Sequence, residues 1–179
     1  RRPPRTTLFP YTTLFRSKIR VKGEWLCQGT KFEKEVSFNF AETEGSGRIS
    51  FNSIFEGPAS FYRATFRGPC WFLGSQFQDV SFVNTTFEGP VFFSFDRYTL
   101  RERNRQKKGG KKELSLNFVS VFHGATNFTN TLFYRKAVFR NVFFKKFANF
   151  ENACFAEEIN FEETHFRSEE HTSELQSRQ

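Results

Sequence analysis

The chain has 179 residues, 28 of them phenylalanine, and a formal net charge of +8 from 27 Lys and Arg against 19 Asp and Glu. That balance excludes the strongly acidic surface a DNA mimic needs. No apolar run approaches the roughly twenty residues of a membrane-crossing helix, and the three cysteines, Cys27, Cys70 and Cys154, have neither CxxC spacing nor a histidine at metal-ligand distance.

In chain order, residues 1–17 resemble the in-frame translation of a widely used sequencing adapter, with Thr6 the one departure. "RSEEHTSELQS" near the C-terminus resembles the opposite adapter. Residues 1–17 and 167–179 are therefore expected to be adapter-derived and disordered, and are set aside in reasoning about fold. Removing their charges takes away a net +3 and leaves +5. The remaining +5 is carried by "SFDRYTLRERNRQKKGGKKELSLN", residues 94–117. The rest of the chain is close to neutral, which argues against a surface that coats nucleic acid generally.

A first array is expected over residues 18–93, degenerate over 18–48. From Phe55 onward phenylalanine returns at Phe61, Phe66, Phe72, Phe77, Phe82, Phe87 and Phe93, every fifth or sixth residue. A second array, residues 118–166, repeats the pattern at Phe122, Phe128, Phe133, Phe139, Phe144, Phe150, Phe155, Phe161 and Phe166. A five-residue step turns a side chain by about 500° on an α-helix, and any odd step reverses its face on a flat strand. Neither element buries such a series on one side. A chain that turns a corner after each short extended segment does, because each segment aims its central Phe at a common axis.

Two residues before each Phe stands a small or β-branched residue, such as Ala59, Ala64, Cys70, Val80, Thr126, Ala137 and Ala148, with mostly polar residues between. Period two inside each short segment points both inward. Matching pieces include "ATFRG", "VSFVN", "TTFEG", "ANFEN" and "ACFAE". With these the chain resembles the pentapeptide-repeat family. The resemblance implies an all-β, right-handed quadrilateral β-helix with four pentads to a coil, here interrupted by a basic loop. The six-residue steps, as in "FRGPCWF", depart from that pattern and are expected to bulge the corners.

"ISFNSIFEGPASFYRATF" and "LNFVSVFHGATNFTNTLF" align at constant offset, so two similar arrays flank the basic segment. Stacked coils should supply a core that one coil cannot. Phe61, Phe66, Phe72, Phe77, Phe82, Phe87, Phe128, Phe133, Phe139, Phe144, Phe150, Phe155 and Phe161 form the expected core. Ala148→Glu is expected to unfold the second array.

Sites for chemistry are sparse. His123 and His165 are expected on the surface, Cys70 inside, Cys154 on a wall, and Trp25 and Trp71 packed beside corners. Glu157, Glu158, Glu162 and Glu163 read as a solvated charged wall. No catalytic residue, metal or cofactor is assigned, and an enzyme is not expected. In residues 94–117, Arg97, Arg101, Arg103, Arg105, Lys107, Lys108, Lys111 and Lys112 surround a Gly-Gly pair and form a candidate anion-binding loop. Its alternative is a hydrophilic insertion without a ligand.

The leading functional expectation is a non-enzymatic scaffold that binds a protein partner through the walls of the β-helix. The alternatives are a soluble module of a membrane-attached or channel protein, and binding of nucleic acid or an anionic membrane through the basic loop. Open coil ends lead us to expect self-association. A cytoplasmic or cytoplasmic-face location is preferred to secretion.

Overall fold

The computed structural model describes residues 19–94 and 119–167. The described residues form 23 short strands and no helix. Every pairing between strands is parallel, and each strand pairs with the one four elements away in the chain. Four sheets result, three of six strands and one of five, so the chain winds through about six coils with one strand per wall in each.

The first wall stacks Arg20–Lys22, Glu42–Glu44, Thr65–Phe66, Thr86–Phe87, Leu132–Phe133 and Cys154–Phe155. The second stacks Trp25–Leu26, Ile49–Ser50, Cys70–Trp71, Val91–Phe92, Ala137–Val138 and Ile159–Asn160. The third carries Thr30–Phe32, Ser53–Phe55, Gln76–Phe77, Val121–Phe122, Phe143–Phe144 and His165–Phe166, and the fourth Val36–Ser37, Ala59–Ser60, Val80–Ser81, Thr126–Asn127 and Ala148–Asn149.

Four phenylalanine ladders fill the interior. Phe55 stacks on Phe77 at 4.7 Å between ring centroids, Phe77 on Phe122 at 5.1 Å and Phe122 on Phe144 at 4.7 Å. Rings of different walls meet edge to face, as Phe51 and Phe61 do at 5.5 Å. The stacking distance matches the 4.7–4.9 Å between hydrogen-bonded strands, so backbone pairing and ring stacking share one repeat. Phe61, Phe66, Phe72, Phe77, Phe82, Phe87, Phe128 and Phe139 are fully buried, and Phe133 and Phe144 nearly so. Phe150, Phe155 and Phe161, in the last coil, are only half-buried.

The uneven Phe steps do not disturb the coils, because two kinds of corner alternate. Leaving the second and fourth walls the chain makes a tight turn, in which the N–H three residues on donates back to the Phe carbonyl, as Ala64 does to Phe61 and Thr85 to Phe82. The residue before that N–H has positive φ: Phe40, Arg63, Gly74, Asn84, Asn130, Asn141, Asn152 and Glu163. This is the geometry of a type II turn, and the step is five residues. Leaving the first and third walls the corner is wider and the step is six, as from Phe66 to Phe72 and from Phe122 to Phe128. The expected corner bulge is thus a regular half of the design.

Two departures keep the register by local means. Between Phe51 and Phe55 the tight corner loses one residue and its positive-φ turn, while Ser53 still points inward and stays buried. Between Phe77 and Phe82 the wide corner is one residue short. There the carboxylate of Asp79 accepts the N–H of Ala125 at 2.8 Å. Gly124 leaves room for it, since a Cβ there would lie 2.2 Å from Asp79 Oδ1 and 2.7 Å from the Gln78 backbone.

The two arrays form one solenoid. Phe93 stacks directly on Phe139 at 4.7 Å, Phe82 on Phe128 at 4.9 Å and Phe87 on Phe133 at 5.2 Å, all across the insertion. Ser120 N–H donates to the Phe93 carbonyl, so the chain returns to the corner it left. The Phe93–Phe139 stack also corrects the internal alignment. In the coil that carries Phe122, the second-wall place that Phe51 holds beside Phe55 is held by Phe93.

The described part of the degenerate stretch, residues 19–48, makes strands of the same ladders, with sizes exchanged. Cys27 and Thr43 stand where the coil above has Phe51 and Phe66, and Trp25 stands where it has Ile49. The indole fills the space that both small residues leave. Its ring meets Phe38 at 5.6 Å and Phe51 at 5.2 Å. Trp25 is therefore an interior residue and not a corner one. Trp71 is corrected too: it lies mid-wall on the outside of the second wall, stacked on Phe92 at 5.9 Å.

Candidate interaction surfaces

Inward hydroxyls settle the backbone at the tight corners. A Phe carbonyl on the second or fourth wall takes the turn N–H and retains a lone pair, and the hydroxyl one coil up donates to it. Thr85 reaches the Phe61 carbonyl at 2.7 Å and Thr131 the Phe82 carbonyl at 2.8 Å; Ser75 and Ser120 serve Phe51 and Phe72 in the same way. On the first and third walls the Phe carbonyl instead takes an N–H from the next coil, as Phe77 does from His123. Thr126, inward on the fourth wall beside that wide corner, is left with a buried hydroxyl that has no partner.

Among the described residues the interior is filled by side chains, and the exposed groups stand on the outer faces. The fourth wall is polar, presenting Ser37, Ser60, Ser81, Asn127 and Asn149. Ser60 donates to Asn39 Oδ1 at 2.6 Å, and Asn127 and Asn149 accept backbone N–H groups of their own corners at 2.8 Å. The second wall carries Leu26, Trp71, Phe92 and Val138, and the third carries Ile54, Val121 and Phe143. Leu26 and Ile54 are exposed, whereas Trp71, Phe92, Val121 and Phe143 are half-buried.

Charges on the walls pair from one coil to the next. Lys31 meets Glu56 at 2.9 Å, Arg67 meets Glu88 at 3.6 Å, and Arg20 meets Glu42 at 3.4 Å. The four glutamates of the last coil belong to this system. Glu157 and Glu158 pair with Arg135 and Lys136, and Arg140 bridges Glu162 at 3.1 Å and Glu163 at 2.6 Å. Each exposed pair contributes at most about 1 kcal/mol.

Titratable groups in other settings are few. Burial pushes the Cys70 thiol well above its ordinary range and raises that of Cys27, which disfavours the reactive thiolate. Cys154 is exposed on the first wall. Partial burial and the Lys145 ammonium hold His123 below the usual histidine value, with Lys145 Nζ 3.4 Å from its Nδ1. His165 is exposed and stacks on Phe143 at 4.4 Å.

A shallow open depression beside the last coil is lined by Phe143, Phe144, Lys145, His165, Phe166 and Arg167. Among the described residues no group of three or more His, Cys, Asp or Glu is placed to hold a metal ion. No helix of the described residues is long and apolar enough to cross a membrane. Arg97, Arg101, Arg103, Arg105, Lys107, Lys108, Lys111 and Lys112 lie outside the described residues. The structure fixes only the place from which their segment leaves, the corner between the second and third walls.

A family model for pentapeptide repeats (9 copies) matches residues 51–95. These residues are pentapeptide repeats. The pentapeptide-repeat geometry continues in the same four walls on both sides of the match, down to Arg20 and up to Phe166. No curated protein and no solved structure matches the chain.

Proposed function

We propose that this pentapeptide-repeat β-helix is a non-enzymatic scaffold that binds a protein partner on its outer walls. The observation that carries the reading is the solid interior. Phenylalanine rings occupy the axis from Phe32 to Phe161, so no ligand cavity runs through the coils. What remains for recognition is a set of flat faces with side chains at the spacing of a β-ladder. A surface held by backbone pairing on every coil loses little conformational freedom on binding, which favours a protein partner of matching shape.

One outward substitution per wall tests this: Thr86→Arg, Trp71→Arg, Val121→Arg and Ser81→Arg. All four positions are outward and half-buried, so the β circular dichroism should persist in each. Bound proteins are identified by cross-linking and mass spectrometry. The reading expects one wall's variant to lose a partner that the other three retain. Partner sets unchanged in all four variants would contradict it.

A further inference from the structure

The second wall holds an outward side chain with no exposure at all. Val138 lies between Ala137 and Phe139, both buried inward, so strand alternation turns it to the outside. Its neighbours along the outer column are Phe92 below and Asn160 above. Outward Ser50, between Leu26 and Trp71 in the same column, is 6% exposed and Val138 is 0% exposed, whereas on the other walls outward Thr86, Asn127 and Leu132 are half-exposed and Ile54 is 41% exposed. The Arg140 side chain beside it is only 13% exposed although it pairs with surface carboxylates.

The departure point of residues 95–118 adjoins this patch. Ser94, at the root of the segment, is buried and donates its hydroxyl to the carbonyl of Arg140. The chain rejoins the coil at Ser120, hydrogen-bonded to Phe93. Between the two roots the sequence is apolar at both ends, with Phe95, Tyr98 and Leu100 after the exit and Leu114, Leu116 and Phe118 before the return. Its basic residues from Arg101 to Lys112 fall in the middle. Six residues span up to about 20 Å, enough for either end to reach across one wall.

We propose that the outer face of the second wall around Trp71, Phe92 and Val138 is a docking surface for the chain's own segment 95–118. The apolar ends of the segment cover the wall, and the cationic middle is presented to solvent from it. On this account the second wall is occupied from within, and an external partner must use another face.

The test is the alkylation rate of a thiol at position 138. Val138→Cys is introduced into the full chain and into a chain whose residues 95–118 are replaced by a Gly-Ser linker. Iodoacetamide labelling is localised by peptide mass spectrometry, which separates it from the native cysteines. Labelling should be at least about ten-fold slower in the full chain, since protection requires local opening of the cover. If the linker variant does not fold, the pair Leu100→Asp and Leu116→Asp in the full chain should give the same acceleration. Equally fast labelling in both chains means an uncovered wall and overturns the proposal. Equally slow labelling overturns it as well, and a rate that falls with protein concentration would assign the cover to a second copy.

Discussion

The central coils and the last coil share one geometry and differ in burial. Phe82 stacks on Phe128 at 4.9 Å with 4° between the ring planes, and Phe128 on Phe150 at 4.7 Å with 8°. Phe82 is nevertheless fully buried and Phe150 only half-buried; likewise Ala64 is fully buried and Ala148 is not. A coil is shaped by the one beneath it but stabilised by both neighbours. Position along the axis, more than residue type, therefore sets the cost of a change.

The largest effect expected from that difference is for a charge on the inward face. Ala64→Glu places a carboxylate among phenylalanines with no partner and should cost more than about 4 kcal/mol, enough to unfold the chain. The same change at Ala148 should cost only about 1–2 kcal/mol, because the half-open last coil lets the carboxylate reach water. Ala148→Glu is thus a fraying substitution and not, as the repeat pattern alone suggests, one that unfolds the second array. Thermal melts followed by circular dichroism distinguish the two. Equal losses at both positions would remove the distinction between centre and end.

A smaller effect separates the two kinds of corner. Thr131→Val removes the donor to the Phe82 carbonyl and should destabilise by about 1–2 kcal/mol. Thr126→Val removes a buried hydroxyl that has no acceptor, and should leave stability unchanged or raise it by up to about 1 kcal/mol. Urea midpoints of the two variants test the assignment. A loss at Thr126 as large as that at Thr131 would show that the corners do not divide the hydrogen bonding in this way.

Smaller still is the strain in the tight turns. Arg63 holds a φ of 54° at a turn position where four of the equivalent turns use Asn84, Asn130, Asn141 and Asn152 and one uses Gly74, while Phe40 and Glu163 carry the same strain as Arg63. Its guanidinium lies 5.3 Å from the Tyr62 ring centroid, which offsets part of the cost. Arg63→Gly should raise stability by about 0.5 kcal/mol, the relief of a left-handed conformation less the lost ring contact. A measurable fall would mean that the ring contact outweighs the strain.

How much of this could be read from the chain follows from what repeats. The ladders were legible because Phe61 to Phe93 and Phe122 to Phe166 keep a step that neither helix nor flat strand can bury. The alternation of five and six was visible as well, but its meaning needed the walls, since a step length does not say which corner turns tightly. Trp25 could not be placed, because its role rests on Cys27 and Thr43 being small in the same coil, a relation among three residues that no period carries. The ion pairs of Arg135, Lys136 and Arg140 were hidden for a related reason. Their partners lie one coil away, a distance defined only after the wide and tight corners are counted.

The central claim is that the chain on both sides of residues 95–118 is a single solenoid. Hydrogen exchange of backbone amides in increasing denaturant tests it most directly. Val80 and Phe82 donate to Ala125 and Asn127 across the insertion, Val121 to Ser75 and Leu132 to Thr85. These four amides should be among the slowest to exchange and should be released together, with those of Cys154 and His165 earlier as the last coil frays. Release of residues 119–167 as a unit of their own, while residues 19–94 stay protected, would show two separate stacks and contradict the account.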